Sequence, residues 1–396
     1  MIKNISFSNF KLFKEKQNLE LKPITVLIGK NNSGKTAVLK LPTMIASSLK
    51  GKFDDIIKLE NYGIKIGSEY SDLVYNRKLK IGETLDLELS NNEEDLAFEN
   101  LRIKIALPLD EIKDKQRLIQ WEYLKNKELM SLKQEKDVFK GFVRNEVDFK
   151  YLSLKIDYIE ALREKPLEEY SFDNSETAKI GVKGENTYQI LIKDKFKDKN
   201  QILTQVSEWY KENFENWSID IKDGQVLYSS KYKYSFNLSN STLKDINITN
   251  TGQGINQTLP LITRSYMKDE EPVLIIIEEP ESHLHPAAHG NLSQRFVESV
   301  IEDENKSYLI ETHSENFILR LQNLIADPDF PFTPEDLRIY YVDYDEDKQE
   351  SNLKPIILDE DGEIEDWPDN VFNESIDEVY KLRRNQKKRR ENAGKN

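Results

Sequence analysis

Cysteine is absent from all 396 residues. This excludes a disulfide framework, a thiolate metal site and a cysteine nucleophile. Histidine is scarce: His283, His285, His289 and His313 are the only four, so any imidazole chemistry is confined to that stretch. No apolar run approaches transmembrane length, and the opening Met1-Ile2-Lys3-Asn4-Ile5-Ser6-Phe7 lacks the apolar core of a secretory leader. The expectation is a cytoplasmic chain without membrane association. Positive charge is also in deficit, with 57 Lys and Arg against 71 Asp and Glu, a net of −14. That balance excludes a generic nucleic-acid coat but leaves room for a local basic groove. The length suffices for one large or two ordinary domains with a sizeable core.

What the sequence does contain is Gly29-Lys30-Asn31-Asn32-Ser33-Gly34-Lys35-Thr36, which fits G-x-x-x-x-G-K-[ST] at every fixed position. The apolar run Ile24-Thr25-Val26-Leu27-Ile28 before it reads as a buried strand. Ala37-Val38-Leu39-Lys40-Leu41 after it continues a helix. A strand, a glycine-rich turn and a helix N-terminus together form an anion cradle. Backbone N–H groups and the helix dipole point at phosphates, Lys35 reaches the β/γ oxygens of a nucleoside triphosphate, and the Thr36 hydroxyl ligates Mg²⁺.

Along the chain, 2–13 and 18–28 read as two strands of a hairpin, and 37–58 as a helix with a kink or break near Pro42. Apolar and polar residues alternate in 85–89 and 101–107, which predicts strands, whereas 109–143, rich in Lys, Glu, Leu and Gln, reads as helix. Residues 151–159 form another strand candidate and 201–214 an amphipathic helix. The strongest buried-strand signal is Val273-Leu274-Ile275-Ile276-Ile277, ending in Glu278-Glu279-Pro280. Ser307-Tyr308-Leu309-Ile310 ends at Glu311-Thr312-His313-Ser314, and a third strand spans 337–343. Strands alternating with helices predict a mostly parallel sheet, which carries its ligands at the carboxyl ends of the strands.

An apolar strand ending in two carboxylates is a Walker B pattern. Glu278 can reach a Mg²⁺ shell through water, and Glu279 can orient or deprotonate the attacking water. His313 follows its own strand and could polarise the γ-phosphate. The alternative role for His313 is a cap on the helix beginning at Ser314.

Taken together, Gly29–Thr36, Glu278-Glu279-Pro280-Glu281-Ser282-His283-Leu284-His285-Pro286 and Glu311-Thr312-His313-Ser314 resemble an ABC-type ATPase head of the SMC/RecF and OLD-like group. The opening Ile5-Ser6-Phe7-Ser8-Asn9-Phe10-Lys11 resembles the first strand of that group. The resemblance implies Glu278 as the Walker B acid, Glu279 as catalytic base, Ser282 to His285 as D-loop and His313 as switch histidine. Thr251-Gly252-Gln253-Gly254-Ile255-Asn256-Gln257-Thr258-Leu259-Pro260 resembles its signature segment, with Asn250 where Asp is usual. Gly252, Gln253 and Gly254 would then approach the γ-phosphate bound by a second subunit. Tyr158-Ile159-Glu160-Ala161-Leu162-Arg163-Glu164-Lys165-Pro166, Gly181-Val182-Lys183-Gly184-Glu185-Asn186 and the late Trp367-Pro368 match further segments of stand-alone bacterial members. A Q-loop glutamine is not assigned; 67–76 is the expected region.

The fold class expected is α/β: an ABC-type P-loop ATPase head with a mixed parallel sheet and an inserted helical and β subdomain. The expected division is 1–82 and 248–345 for the two halves of the head, 83–247 for the insertion and 346–396 for a C-terminal element with a basic tail. By the resemblance, ATP and Mg²⁺ are the ligands, and the protein is a homodimer or higher even oligomer. Its partner is an effector protein on another chain, such as a nuclease, with nucleic acid as a further partner, and its biology is bacterial anti-phage defence. A RecF-like repair clamp and a slow nucleotide-gated scaffold are the alternatives.

Three weaker signals count for less. His285 and His289 stand i,i+4 and could bind zinc, but no H-E-x-x-H accompanies them. The last sixteen residues, Lys381 to Asn396, carry eight basic side chains, which suit either an acidic partner or a solvated helix end. Asp343-Tyr344-Asp345 supplies a nuclease-like D-x-D, but too little chain comes after it for such a domain.

Overall fold

The structure, a computed structural model, describes residues 1–91, 99–109, 115–132, 138–144, 149, 152–172, 179–224, 232–364, 367, 372 and 381–386. Its centre is a six-stranded sheet in the order Lys155–Ile159, Val273–Glu278, Lys306–Glu311, Ile24–Ile28, Leu337–Asp345, Glu350–Ile356. The first five strands run parallel, and the last pairs antiparallel to its neighbour. Strands buried on both faces must be apolar throughout. Accordingly Val26 and Ile28, with Val273, Ile275 and Ile277, enter one core, while Leu27, Leu274 and Ile276 enter the other.

Beside the second core lies an antiparallel sheet ordered Gln17–Glu20, Asn4–Ser8, Leu85–Ser90, Glu99–Ala106, Arg117–Lys125, Glu128–Ser131. The expected hairpin from 2 to 28 is therefore divided. Gln17–Glu20 pairs with Asn4–Ser8, but after Pro23 the chain crosses into the parallel sheet. The expected helix over 109–143 is corrected to strands, with 110–114 and 133–137 outside the described residues. Lysine and glutamate content concealed a period of two. Trp121 and Tyr123 alternate onto a buried face, where Trp121 Nε1 donates to the Phe142 carbonyl at 3.0 Å and the Tyr123 hydroxyl to Glu99 at 2.7 Å. Asn126 and Lys127 both take positive φ, as a tight hairpin between twisted strands requires.

Residues 83–247 thus contribute to four sheets, one of them the small pair Phe139–Lys140 and Val143–Arg144. Leu85–Ser90 pairs with Asn4–Ser8, and Lys155–Ile159 pairs with Val273–Glu278. A third sheet holds Tyr170–Ser171, Lys233–Ser239 and Ser218–Gly224, beside helices Thr187–Phe196 and Gln201–Asn213.

The helix after the glycine-rich loop runs Lys35–Leu49 and passes through Pro42 without ending. An interior proline costs about 3 kcal/mol relative to alanine. Here Val38, Leu39, Leu41, Met44 and Ile45 are all buried around it, and their packing carries the helix through. It stops at Leu49 rather than 58, where Gly51 takes φ 59°.

Candidate nucleotide site

Parallel strands deliver their carboxyl ends to one edge of the sheet, and that edge collects the candidate residues. Gly29 leaves Ile24–Ile28 with φ 147°, and a Cβ there would lie 2.5 Å from the Val342 carbonyl oxygen. Gly34, at φ 102°, caps the Lys35–Leu49 helix. Neither position admits a side chain without strain. Between them Lys30, Asn31 and Asn32 are on the open side of the loop and Ser33 is buried. The first amides of the helix, those of Lys35 and Thr36 among them, have no carbonyl one turn earlier within the helix to bond.

Lys35 is folded back over this loop. Its ammonium donates to the carbonyls of Gly29 at 3.0 Å and Lys30 at 2.9 Å, and lies 3.7 Å from Glu311 Oε1. Burial lowers its pKa, opposed by Glu311 and Glu279. The Thr36 hydroxyl donates to Glu311 Oε2 at 2.9 Å. Burial pushes the Glu311 carboxyl up, opposed by Lys35 and the Thr36 bond.

Glu278 and Glu311 are register partners on adjacent parallel strands. The Glu278 carboxylate accepts from the Tyr158 hydroxyl and, at 3.4 Å, from the Ala161 amide, with Lys40 Nζ 3.8 Å away. Glu279 follows with φ 39°, a left-handed conformation unusual outside glycine. Its amide donates to the Glu311 carbonyl at 2.9 Å, and its carboxylate accepts from the Ser282 hydroxyl at 2.8 Å. Glu279, Glu311 and His313 bring one ligand atom each to within 4.8 Å of one another. Burial and the nearby Lys35 hold His313 below its usual pKa, opposed by Glu279. The helix after it is capped by Ser314, which accepts from the Phe317 amide at 3.1 Å, leaving the His313 ring free of that duty.

The signature segment begins the helix Gln253–Tyr266, with Gly252 at its N-cap. Gly252 faces open space, but a Cβ on Gly254 would meet the His283 carbonyl oxygen at 3.1 Å and Leu284 at 3.2 Å. Close approach at Gly254 is therefore already used within the subunit, against His283 and Leu284.

The other two histidines do structural work. His285 Nδ1 accepts from the Ala287 amide at 3.2 Å, and His289 meets Ser314 Oγ at 2.7 Å and the Leu284 carbonyl at 3.3 Å. Neither nitrogen of His289 is left for zinc. Asp343 is held by Lys354 at 2.6 Å, while Asp345 accepts from the amides of Asp347 and Lys348. Of the basic tail, 381–386 is an exposed helical segment, and the rest lies outside the described residues. Residues 67–76 contain no glutamine; they line a cavity with Lys11 and Arg77.

Several contributors carried no role in the sequence reading: Tyr158, Arg163, Glu281 and Glu311. Arg163, fully enclosed, donates to the carbonyls of Glu278 at 2.8 Å and Glu279 at 3.3 Å. It also exchanges two bonds with Gln257 of the signature helix, at 3.1 and 3.2 Å. The turn 181–184 clamps the same segment, through Glu160 N to Val182 O and Glu164 N to Lys183 O, both 2.8 Å. Glu311 had a sequence signal, a carboxylate closing a buried strand, identical in kind to that of Glu278. Arg163 had none.

The sequence comparison decides the family. Residues 1–318 match the AAA ATPase domain family. The chain belongs to that family. A second stretch of this AAA ATPase, 332–382, matches the family described as "Protein of unknown function (DUF3696)". A search of curated proteins gave no match. Among solved structures, the fold is similar to an SMC head bound to the C-terminal winged-helix domain of ScpA, at TM-score 0.52 and 13% identity over 90% of this chain and 98% of that one. SMC heads from Pyrococcus furiosus (TM-score 0.49, 13% identity, 90% and 96% coverage) and Thermotoga maritima (0.43, 11%, 90% and 99%) also match. The first of these likenesses shows that the α/β fold is that of an SMC head. No helix among the described residues is long and apolar enough to cross a membrane.

Proposed function

We propose that this AAA ATPase binds ATP with Mg²⁺, hydrolyses it, and dimerises around it to control an effector on another chain, in bacterial anti-phage defence. The observation that carries hydrolysis is the meeting of Glu279, Glu311 and His313 within 4.8 Å, at the sheet edge that also presents Lys35 and Thr36. The oxygen donors Thr36, Glu278 and Glu311 have the hard character magnesium prefers, and the strained glycines leave the loop open to phosphate. Magnesium, when bound, would neutralise charge developing on the β and γ oxygens.

On this reading Lys35 leaves its loop carbonyls for the β/γ oxygens, and Thr36 turns a lone pair toward the cation, with Glu278 reaching the metal shell through water. Glu279 accepts the proton of the attacking water, and His313, held toward the neutral form by burial, donates or accepts at the γ-phosphate. Gly252 and Gln253 complete the partner's site, with Gly254 packed against His283 of its own subunit, which makes the dimer the hydrolytic unit. The exposed Gly252 supports that role. The effector and the defence role rest on the family resemblance alone.

Light scattering tests the dimer. Glu279→Gln with ATP and Mg²⁺ should double in mass, while ADP leaves it unchanged. A mass independent of nucleotide would overturn ATP-driven association.

A further inference from the structure

The central sheet places the Lys306–Glu311 strand between the strand that feeds the glycine-rich loop and the strand that ends in Glu278. The residue at its carboxyl end is therefore nearer the loop than Glu278 is. That residue is Glu311, buried, with Oε2 on the Thr36 hydroxyl at 2.9 Å and Oε1 at 3.7 Å from Lys35. Glu278, one strand further away, spends its carboxylate on Tyr158 and Ala161.

We propose that Glu311 is the positioning residue for magnesium: it holds the Thr36 hydroxyl so that the oxygen's lone pairs face the ion that accompanies ATP. This rests on the reading of the loop as an ATP·Mg²⁺ site. A hydroxyl that donates to a fixed carboxylate has its proton turned away and both lone pairs directed elsewhere. A carboxylate in that place also adds negative charge where a divalent cation would sit, without itself needing to enter the coordination shell. The same carboxylate faces Lys35, so in the absence of nucleotide it compensates an ammonium that would otherwise be buried with backbone carbonyls alone.

Loss of this carboxylate has two opposed effects. Removing Glu311 should leave Lys35 free for phosphate, so ATP binding without metal holds or tightens. It should also weaken the cation's grip, so the gain in ATP affinity on adding Mg²⁺ shrinks.

The experiment measures equilibrium binding of ATP by calorimetry, in EDTA and in saturating Mg²⁺, for wild type, Glu311→Gln and Glu311→Ala. The expected result is a metal-free affinity within about threefold of wild type or tighter, and a Mg²⁺-dependent gain reduced about tenfold in Glu311→Ala, the loss of one charge-assisted contact. Glu311→Gln, which keeps an acceptor for Thr36, should fall between. A wild-type Mg²⁺-dependent gain in both variants would overturn the proposal, and so would a loss of metal-free binding equal to the loss with metal. If wild type itself bound no ATP, the underlying reading of the loop would fail instead. Thermal unfolding of the isosteric Glu311→Gln confirms that the protein measured is folded.

Discussion

The guanidinium of Arg163 donates to the carbonyl oxygen of Glu278 at 2.8 Å. The same Nη2 reaches the next carbonyl, that of Glu279, at 3.3 Å. Glu279 there holds φ 39°, a conformation that costs a non-glycine residue about 1–2 kcal/mol. Arg163 fastens the chain where that strain is stored, and its main chain is bonded to Gln257 on the signature helix. The enclosed arginine links the helix Gln253–Tyr266 with the turn that carries Glu279.

Arg163→Lys should therefore separate binding from turnover. Lysine keeps the charge but is shorter and lacks the guanidinium Nη2 that reaches both carbonyls. ATP affinity should stay within about threefold, because Lys35 and its loop are untouched. Turnover should fall at least tenfold, and stability by about 1–2 kcal/mol, the worth of a buried bond to a charged donor. Urea unfolding and phosphate release measure the two effects. Wild-type turnover in this variant would mean the arginine is structural only.

Gly252 gives the cleaner test of a site completed across subunits. Its φ of −62° suits any residue and its Cβ direction is empty, whereas Gly254 abuts His283 of its own subunit. Gly252→Asp should fold and bind ATP normally, yet fail to dimerise and hydrolyse. Lys35→Ala should lose ATP binding, because no cation then offsets the β/γ charge. A mixed dimer of the two holds one composite site with both defects and one with neither, so turnover should recover in part. Absence of recovery in demonstrated mixed dimers would count against trans completion.

Glu281 governs a pH dependence. One carboxylate oxygen accepts the His313 amide at 2.6 Å, and the other, enclosed, has no bonded partner. Burial raises its pKa above the ordinary 4.5. A raised carboxyl pKa means the folded state prefers the protonated form. The stabilising contribution is complete below pH 4.5 and is lost as pH climbs through the elevated folded value. Glu281→Gln should accordingly narrow the difference in unfolding free energy between pH 5 and pH 8. An unaltered difference would show that Glu281 does not titrate abnormally.

Much of the site was legible because parallel sheets turn sequence order into spatial convergence. Val273–Glu278 opens on five consecutive apolar residues, four of them β-branched, and Lys306–Glu311 carries the shorter run Tyr308-Leu309-Ile310; the residues that end each of them land at one edge. The 109–143 region was misread because its solvent faces are rich in lysine and glutamate. The alternating Trp121 and Tyr123 that make it sheet were diluted in that composition. Arg163 could not be found from spacing, since its contacts to Glu278 and Gln257 each span more than ninety residues of sequence. Glu311 was visible as a strand-ending carboxylate. Only the strand order shows that it, and not Glu278, stands next to Thr36.

The central claim, that this fold hydrolyses ATP through Glu279, is tested most directly by comparing wild type with Glu279→Gln in ATP binding and phosphate release. The amide preserves size and the Ser282 contact while removing the base. The account predicts unchanged ATP affinity and turnover reduced about 10²–10⁴-fold, the range a general base supplies. Equal phosphate release by the two proteins would contradict it.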